Sequence, residues 1–161
     1  MTKYRRIMAL SLLLALFIPV YAAADPASVQ SPVGEWLVKD GTAHIRIVPC
    51  EKKLWGVISW VNEPDTDKNN PDISKRGQPV LGLPILLAMQ PGDSGRWDGR
   101  IYNAQNGKIY DGNISLTSPD VLHIQGCVLF GLLCGSEDWT RLKAAAEKET
   151  SESICRRVSG G

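Results

Sequence analysis

Val33-Gly34-Glu35-Trp36-Leu37-Val38, then Lys39-Asp40-Gly41, then His44-Ile45-Arg46-Ile47-Val48: this strand–turn–strand run decides the fold. The first segment is a short apolar strand carrying one large aromatic. The tripeptide is a turn signal. The second segment alternates apolar and polar residues, the period of a strand with one buried face. Working outward, Lys53 to Val61 is a third strand, with Leu54, Trp55, Val57, Ile58 and Trp60 apolar on both faces around Gly56. Its inward phase stays open. Asn62 to Gln78 is polar and rich in Asp, Asn and Pro, so it reads as a long loop.

The pattern continues to the C-terminal part of the chain. Pro79 to Met89 is apolar, and Pro84 in its middle predicts a bent strand with an irregularity there. Arg96 to Tyr102 and Lys108 to Leu116 flank Asn103-Ala104-Gln105-Asn106-Gly107, whose Asn-Gly pair is a hairpin signal. Ser118-Pro119-Asp120 makes a turn, and Val121 to Gln125 and Asp138 to Leu142 are the last strands. Only Lys143 to Ser153 reads as a helix, short and without an apolar stripe. About eight strands at spacings of roughly 8–12 residues indicate an all-β fold. Strand–helix alternation, the mark of a parallel sheet, does not occur. Between a jelly roll and an up-and-down antiparallel barrel, the hairpin-length connections favour the barrel.

The N-terminal end carries an address. Lys3, Arg5 and Arg6 precede an apolar run from Ile7 to Val20, broken only by Ser11 and Pro19, and Ala22-Ala23-Ala24 offers a signal-peptidase site. The expectation is a signal peptide over residues 1–24 and a single barrel domain over 25–161, secreted or periplasmic. The run falls short of the roughly 20 residues of a membrane span, so no stable span is expected after processing. Cleavage removes three basic residues and turns a net charge of +1 slightly negative. That balance, without a basic stripe, gives no reason to expect a nucleic-acid partner.

Four cysteines, Cys50, Cys127, Cys134 and Cys155, all lie beyond the signal. An even count in an exported chain favours disulfides. Cys127 and Cys134 could close a short loop and leave Cys50 to Cys155, but three pairings are open. Zinc would need tighter Cys spacing or nearby His ligands, so no metal and no cofactor are expected.

Two clusters frame the strand region. Gly34-x-Trp36 opens it and Trp139-x-Arg141 ends it. The arrangement resembles the barrel closure of the calycin and lipocalin group, in which an Arg from the last strand stacks on the first-strand Trp. A guanidinium suits that role, because it stacks on an indole while its donors hold carbonyls. Between the clusters run Ile45-x-Ile47-x-x-Cys50, Leu54-Trp55-Gly56-x-Ile58-x-Trp60, Asp67-x-x-Asn70-Pro71-Asp72 and Pro79-Val80-x-Gly82. Trp97-x-Gly99-x-Ile101-Tyr102-Asn103, Gly107-Lys108-x-Tyr110 and Gly126-Cys127 follow, with Cys134 next. This order, from about Pro32 to Leu142, resembles the secreted bacterial family called domain of unknown function 2147. The resemblance implies a calycin-like barrel and brings no activity with it. In one respect the chain departs from that family, which often has a Cys before the Gly of the third strand. Trp55 stands there instead, leaving Cys155 as a substitute partner for Cys50.

The sequence offers three kinds of candidate site. Catalysis finds little support: His44 and His123 fall on the polar phase of strands, and no Gly-x-Ser-x-Gly elbow occurs. No enzyme is expected. Asp65, Asp67 and Asn69 match the first ligands of a calcium loop, but Asn70 replaces the needed Gly and Arg76 the bidentate Glu. Asx-turns account better for that segment. The barrel interior remains. Alternation turns Ile45, Ile47, Trp97, Ile101, Tyr110, Ile114, Leu116, Leu122 and Ile124 inward, and all of these but Leu116 are the expected ligand-binding wall. An eight-stranded barrel either fills with side chains or holds one small ligand. The leading expectation is therefore an exported binding protein for a small apolar or amphipathic molecule. The alternative is a structural or interaction module of the cell envelope with a filled barrel.

Overall fold

The computed structural model describes residues 31–129, 131–143 and 149–160. The expected signal peptide lies outside them, as do residues 144–148 of the expected helix. Eight strands follow one another in chain order: β1 (Gly34–Leu37), β2 (Ala43–Cys50), β3 (Lys53–Val61), β4 (Pro84–Pro91), β5 (Trp97–Asn103), β6 (Lys108–Ser118), β7 (Val121–Val128) and β8 (Leu133–Leu142). Each pairs antiparallel with the next, and β8 returns to β1, closing an up-and-down barrel. Closure leaves no unpaired sheet edge.

Because successive strands run in opposite directions, the connections fall at two ends. One end holds the β2–β3, β4–β5 and β6–β7 turns and the entry to β1. The other holds the β1–β2 turn, the long β3–β4 loop, the β5–β6 turn and the β7–β8 turn. The interior is packed by Trp36, Ile45, Ile47, Leu54, Ile58, Leu86, Met89, Ile114, Leu122, Ile124 and Trp139.

The phase of β3 is resolved by what lies outside the barrel. Leu54 and Ile58 face the interior, while Val57 joins a second apolar cluster with Val48, Cys50, Ile154 and Val158, against which Trp55 packs. That outer cluster is covered by α1 (Ser151–Ser159), tied to β2 by the Cys50–Cys155 disulfide. From Leu54 to Ile58 both faces of β3 are apolar because both are covered, whereas Trp60 beyond them is exposed. Beside the helix, buried Glu35 takes a 2.7 Å bond from Arg46 Nε and another from Ser59 Oγ, and Arg46 reaches on to the Glu149 carbonyl at 3.0 Å. These bonds compensate a carboxylate that would otherwise be buried unpaired.

Several expected boundaries move. The described helix runs from Ser151, after Thr150 as its N-cap, and overlaps the expected one only at its end. Its anchors, Ile154 and Val158, stand four apart and give it the apolar stripe that residues 143–153 lack. Pro84 does not interrupt a strand but begins one, the position where a missing N–H costs least. The irregularity lies instead at Ala88, at positive φ, where the β4–β5 register shifts. Strands β7 and β8 run past their expected ends, with Cys127 paired directly to Cys134 and bridged to it. Their turn carries exposed Leu129 and Leu132, and Leu133 at the start of β8 is exposed beside them.

Candidate functional site

One end of the barrel is sealed. Trp36 is fully buried, its Nε1 donates to the Pro32 carbonyl at 2.8 Å, and the Arg141 guanidinium lies 4.1 Å over its ring. Arg141 donates to three carbonyls, Pro119 at 2.7 Å and Val33 and Ser31 at 2.9 Å each. One side chain thus joins the entering chain, the β6–β7 turn and β8. Gly34 is part of this fit: its φ is +138°, and a Cβ there would come within 2.9 Å of Arg141 Nη1. Trp139, two residues before Arg141 on β8, is also buried and stands one layer further in.

The other end is hollow. A cavity of about 460 Å³ opens there, within the size range of small-molecule sites. Its walls are Ile45, Ile58, Ile85, Ile101, Ile124 and the rings of Tyr110 and Trp139. Val38, Asp40 and Thr42 of the β1–β2 turn with Ala43 at the start of β2, and Ala104 and Gln105 of the β5–β6 turn with Asn103 at the end of β5, form its rim. Part of the space exists because side chains are missing. Gly126 and Gly135 pair across β7 and β8 and line the cavity, and a Cβ on Gly135 would meet nothing within 4 Å.

Of the eight residues expected to form a ligand wall, Ile45, Ile101, Tyr110 and Ile124 line this cavity. Ile47, Ile114 and Leu122 do not: they are 0–1 % exposed and pack as solid core. Trp97 packs against that core as well. Period-two alternation identifies the inward face but not depth along the axis, which separates core from cavity. Ile58 was hidden by the two-faced apolar β3, and Ile85 by the misplaced start of β4. Gly126, Gly135, Ser136 and Glu137 were missed because their stretch reads as turn, although Gly126 and Gly135 flanking the two cysteines were a usable signal.

The polar groups of the cavity are few and held. Asp40 accepts from Thr42 Oγ1 at 2.7 Å and Thr42 N at 3.1 Å, and these bonds keep its carboxyl below the usual range. Glu137 accepts from Trp139 Nε1. Tyr110 Oη accepts from Asn106 Nδ2 at 2.8 Å. Tyr102 donates to Asp67 Oδ1 at 2.7 Å, and burial followed by that bond pushes its phenol up to about 12.

Asp67 belongs to the long β3–β4 loop, whose residues act as a buttress for the rim. It is fully buried and also accepts from Asn70 Nδ2 at 2.6 Å, while Asn69 Nδ2 donates to the Gln105 carbonyl at 2.8 Å. Asp65 pairs with Lys68 at 2.9 Å. The three residues of the calcium pattern therefore bond to separate partners, and among the described residues no cluster of His, Cys, Asp and Glu could hold a metal. His44 stacks on Trp60 with ring centroids 4.4 Å apart, and His123 Nδ1 lies 2.7 Å from Asp138 Oδ1. No helix among the described residues is long and apolar enough to cross a membrane.

The model of a bacterial family, described as an uncharacterized protein conserved in bacteria and called domain of unknown function 2147, matches residues 34–141. Among solved structures, the fold is similar to protein HP1028 from the human pathogen Helicobacter pylori, described as belonging to the lipocalin family. The TM-score is 0.67 at 15% sequence identity, covering 80% of this chain and 97% of that one. At that identity the likeness concerns the fold alone. No match is found among curated proteins.

Proposed function

Because the chain belongs to the bacterial family of domain of unknown function 2147, and its barrel is lipocalin-like, we propose that it is an exported carrier of a small apolar or amphipathic molecule. The observation that carries this reading is the cavity of about 460 Å³ at the end opposite the Trp36–Arg141 seal. A barrel needed only as a solid module would gain by filling that space, since empty apolar volume is destabilising. Isoleucine walls with two aromatic rings suit an apolar body, and the polar rim suits a head group that stays near water. Export is supported by the basic, apolar and Ala-x-Ala sequence of residues 1–24, and by two disulfides, which persist in oxidising compartments.

The test uses N-phenyl-1-naphthylamine, whose emission rises in apolar surroundings. Saturable binding at one site per chain is expected, and Gly135→Phe, which places a ring in open cavity space, should abolish it without lowering the unfolding temperature. Absence of saturable binding by the parent protein, or equal binding by the plugged variant, overturns the reading.

A further inference from the structure

The charged side chains that line the cavity are of one sign, with Lys39 and Lys108 standing beside the rim but outside the lining. Its ionisable lining groups are Asp40, Tyr102, Tyr110 and Glu137, and no Lys or Arg lines it among the described residues. Glu137 stands on β8 in step with the inward-facing Trp139, whose indole N–H it accepts, so its carboxylate is held over the aromatic wall. Asp40 stands beyond the end of β1. The β1–β8 pairing ends at Leu37 and Thr140, and because these two strands are neighbours, Asp40 in the β1–β2 turn and Glu137 on β8 line adjacent parts of the mouth. Thr42 fixes the Asp40 carboxylate with two hydrogen bonds. Tyr110 and Trp139 add ring faces that attract cations.

We propose that the cavity selects amphipathic cations, with the apolar body among Ile45, Ile58, Ile101 and Ile124 and an ammonium-type head at the mouth near Glu137 and Asp40. This inference rests on the carrier reading and adds the charge of the ligand to it. Asp40 and Glu137 are exposed at the mouth, so their attraction is moderate and weakened by salt, and it acts on a head group that the apolar wall beneath holds next to them. The same field repels a fatty carboxylate, whose charge would find no cationic partner in the lining. A neutral alcohol of equal chain length gains the apolar contacts only. Head-group charge, rather than chain length, therefore sets the order of affinity.

Calorimetric titration of the folded, disulfide-bonded protein with octylammonium, octanol and octanoate, each below its micelle concentration at neutral pH and low salt, separates the two levels. Octanol reports the cavity alone. Octylammonium should bind at least tenfold tighter than octanol, and octanoate weaker than either. Glu137→Gln should shrink the octylammonium-to-octanol ratio at least fivefold, and Asp40→Asn should shrink it independently, so a folding defect in one variant leaves the other to decide. If octanol binds but the three affinities are equal, or octanoate binds tightest, the charge inference is overturned and the carrier reading stands. If none of the three binds, both are overturned.

Discussion

At the scale of single residues, the seal concentrates several jobs in two side chains. Arg141 stacks on Trp36 and holds three carbonyls from two segments, the entering chain and the β6–β7 turn, so loss of either partner strands the other. Trp36→Ala should cost about 3–5 kcal/mol, as expected for removing a fully buried large ring. Arg141→Lys should destabilise as well, because an ammonium cannot both stack flat and reach three carbonyls. In urea unfolding the two losses should be less than additive, since each breaks the same contact; additivity within error would mean that the stack contributes nothing of its own. A second residue-scale effect concerns Tyr102, whose hydroxyl donates to buried Asp67. Its phenol is raised from 10 to about 12 in the folded protein, so the unfolded chain loses that proton first as pH rises. The stabilisation is present in full below pH 10 and is lost as pH climbs toward 12. Tyr102→Phe should be less stable than the parent at neutral pH and should show a flatter fall in unfolding temperature across that window. Parallel curves for the two proteins would rule the linkage out.

At the scale of elements, the C-terminal helix depends on its covalent tie. A nine-residue helix is too short to persist alone in water, and two buried side chains give it a small footprint on β2 and β3. The Cys50–Cys155 bridge spans 105 residues of chain and the Cys127–Cys134 bridge only 7. On the chain-entropy account, replacing the first pair by serine should cost about 4.7 kcal/mol and the second about 2.5 kcal/mol. Denaturant unfolding of the two double-serine variants checks the order; a larger loss from the short loop would refute an entropic origin. The helix also shows why parts of the fold were hard to read. The strands were legible because period-two alternation survives wherever one face is wet, as in His44 to Val48. It fails where a second element covers the outer face, as α1 does over Trp55 and Val57. The helix over Ser151–Ser159 was not legible past Ser153 because its intrinsic propensity is modest, and packing of Ile154 and Val158 with a disulfide at Cys155 decides its place. The closure residues were legible as a spaced pair of motifs, but the cavity was not, because solid core and cavity wall share one alternating pattern.

At the scale of the whole molecule, the barrel is asymmetric along its axis: sealed at one end by Trp36 and Arg141, packed solid by residues such as Ile47, Ile114 and Leu122, and open among the rim turns at the other. Ligand entering the open end would bind only the closed barrel, since the wall residues come from β2, β3, β4, β5, β6, β7 and β8 and are dispersed when the chain unfolds. Binding to the native state alone stabilises it by about 2.7 kcal/mol when ligand is a hundredfold above its dissociation constant. For a chain of this size that corresponds to a rise of roughly 5–10 °C in unfolding temperature. The parent protein should therefore melt several degrees higher in excess octylammonium, with the shift growing logarithmically with concentration. Gly135→Phe should melt at the same temperature with and without it, because its ring occupies the space the ligand needs. Equal shifts in both proteins would place the binding elsewhere, with the exposed Leu129, Leu132 and Leu133 at the β7–β8 turn as the apolar surface left to examine by substitution with serine.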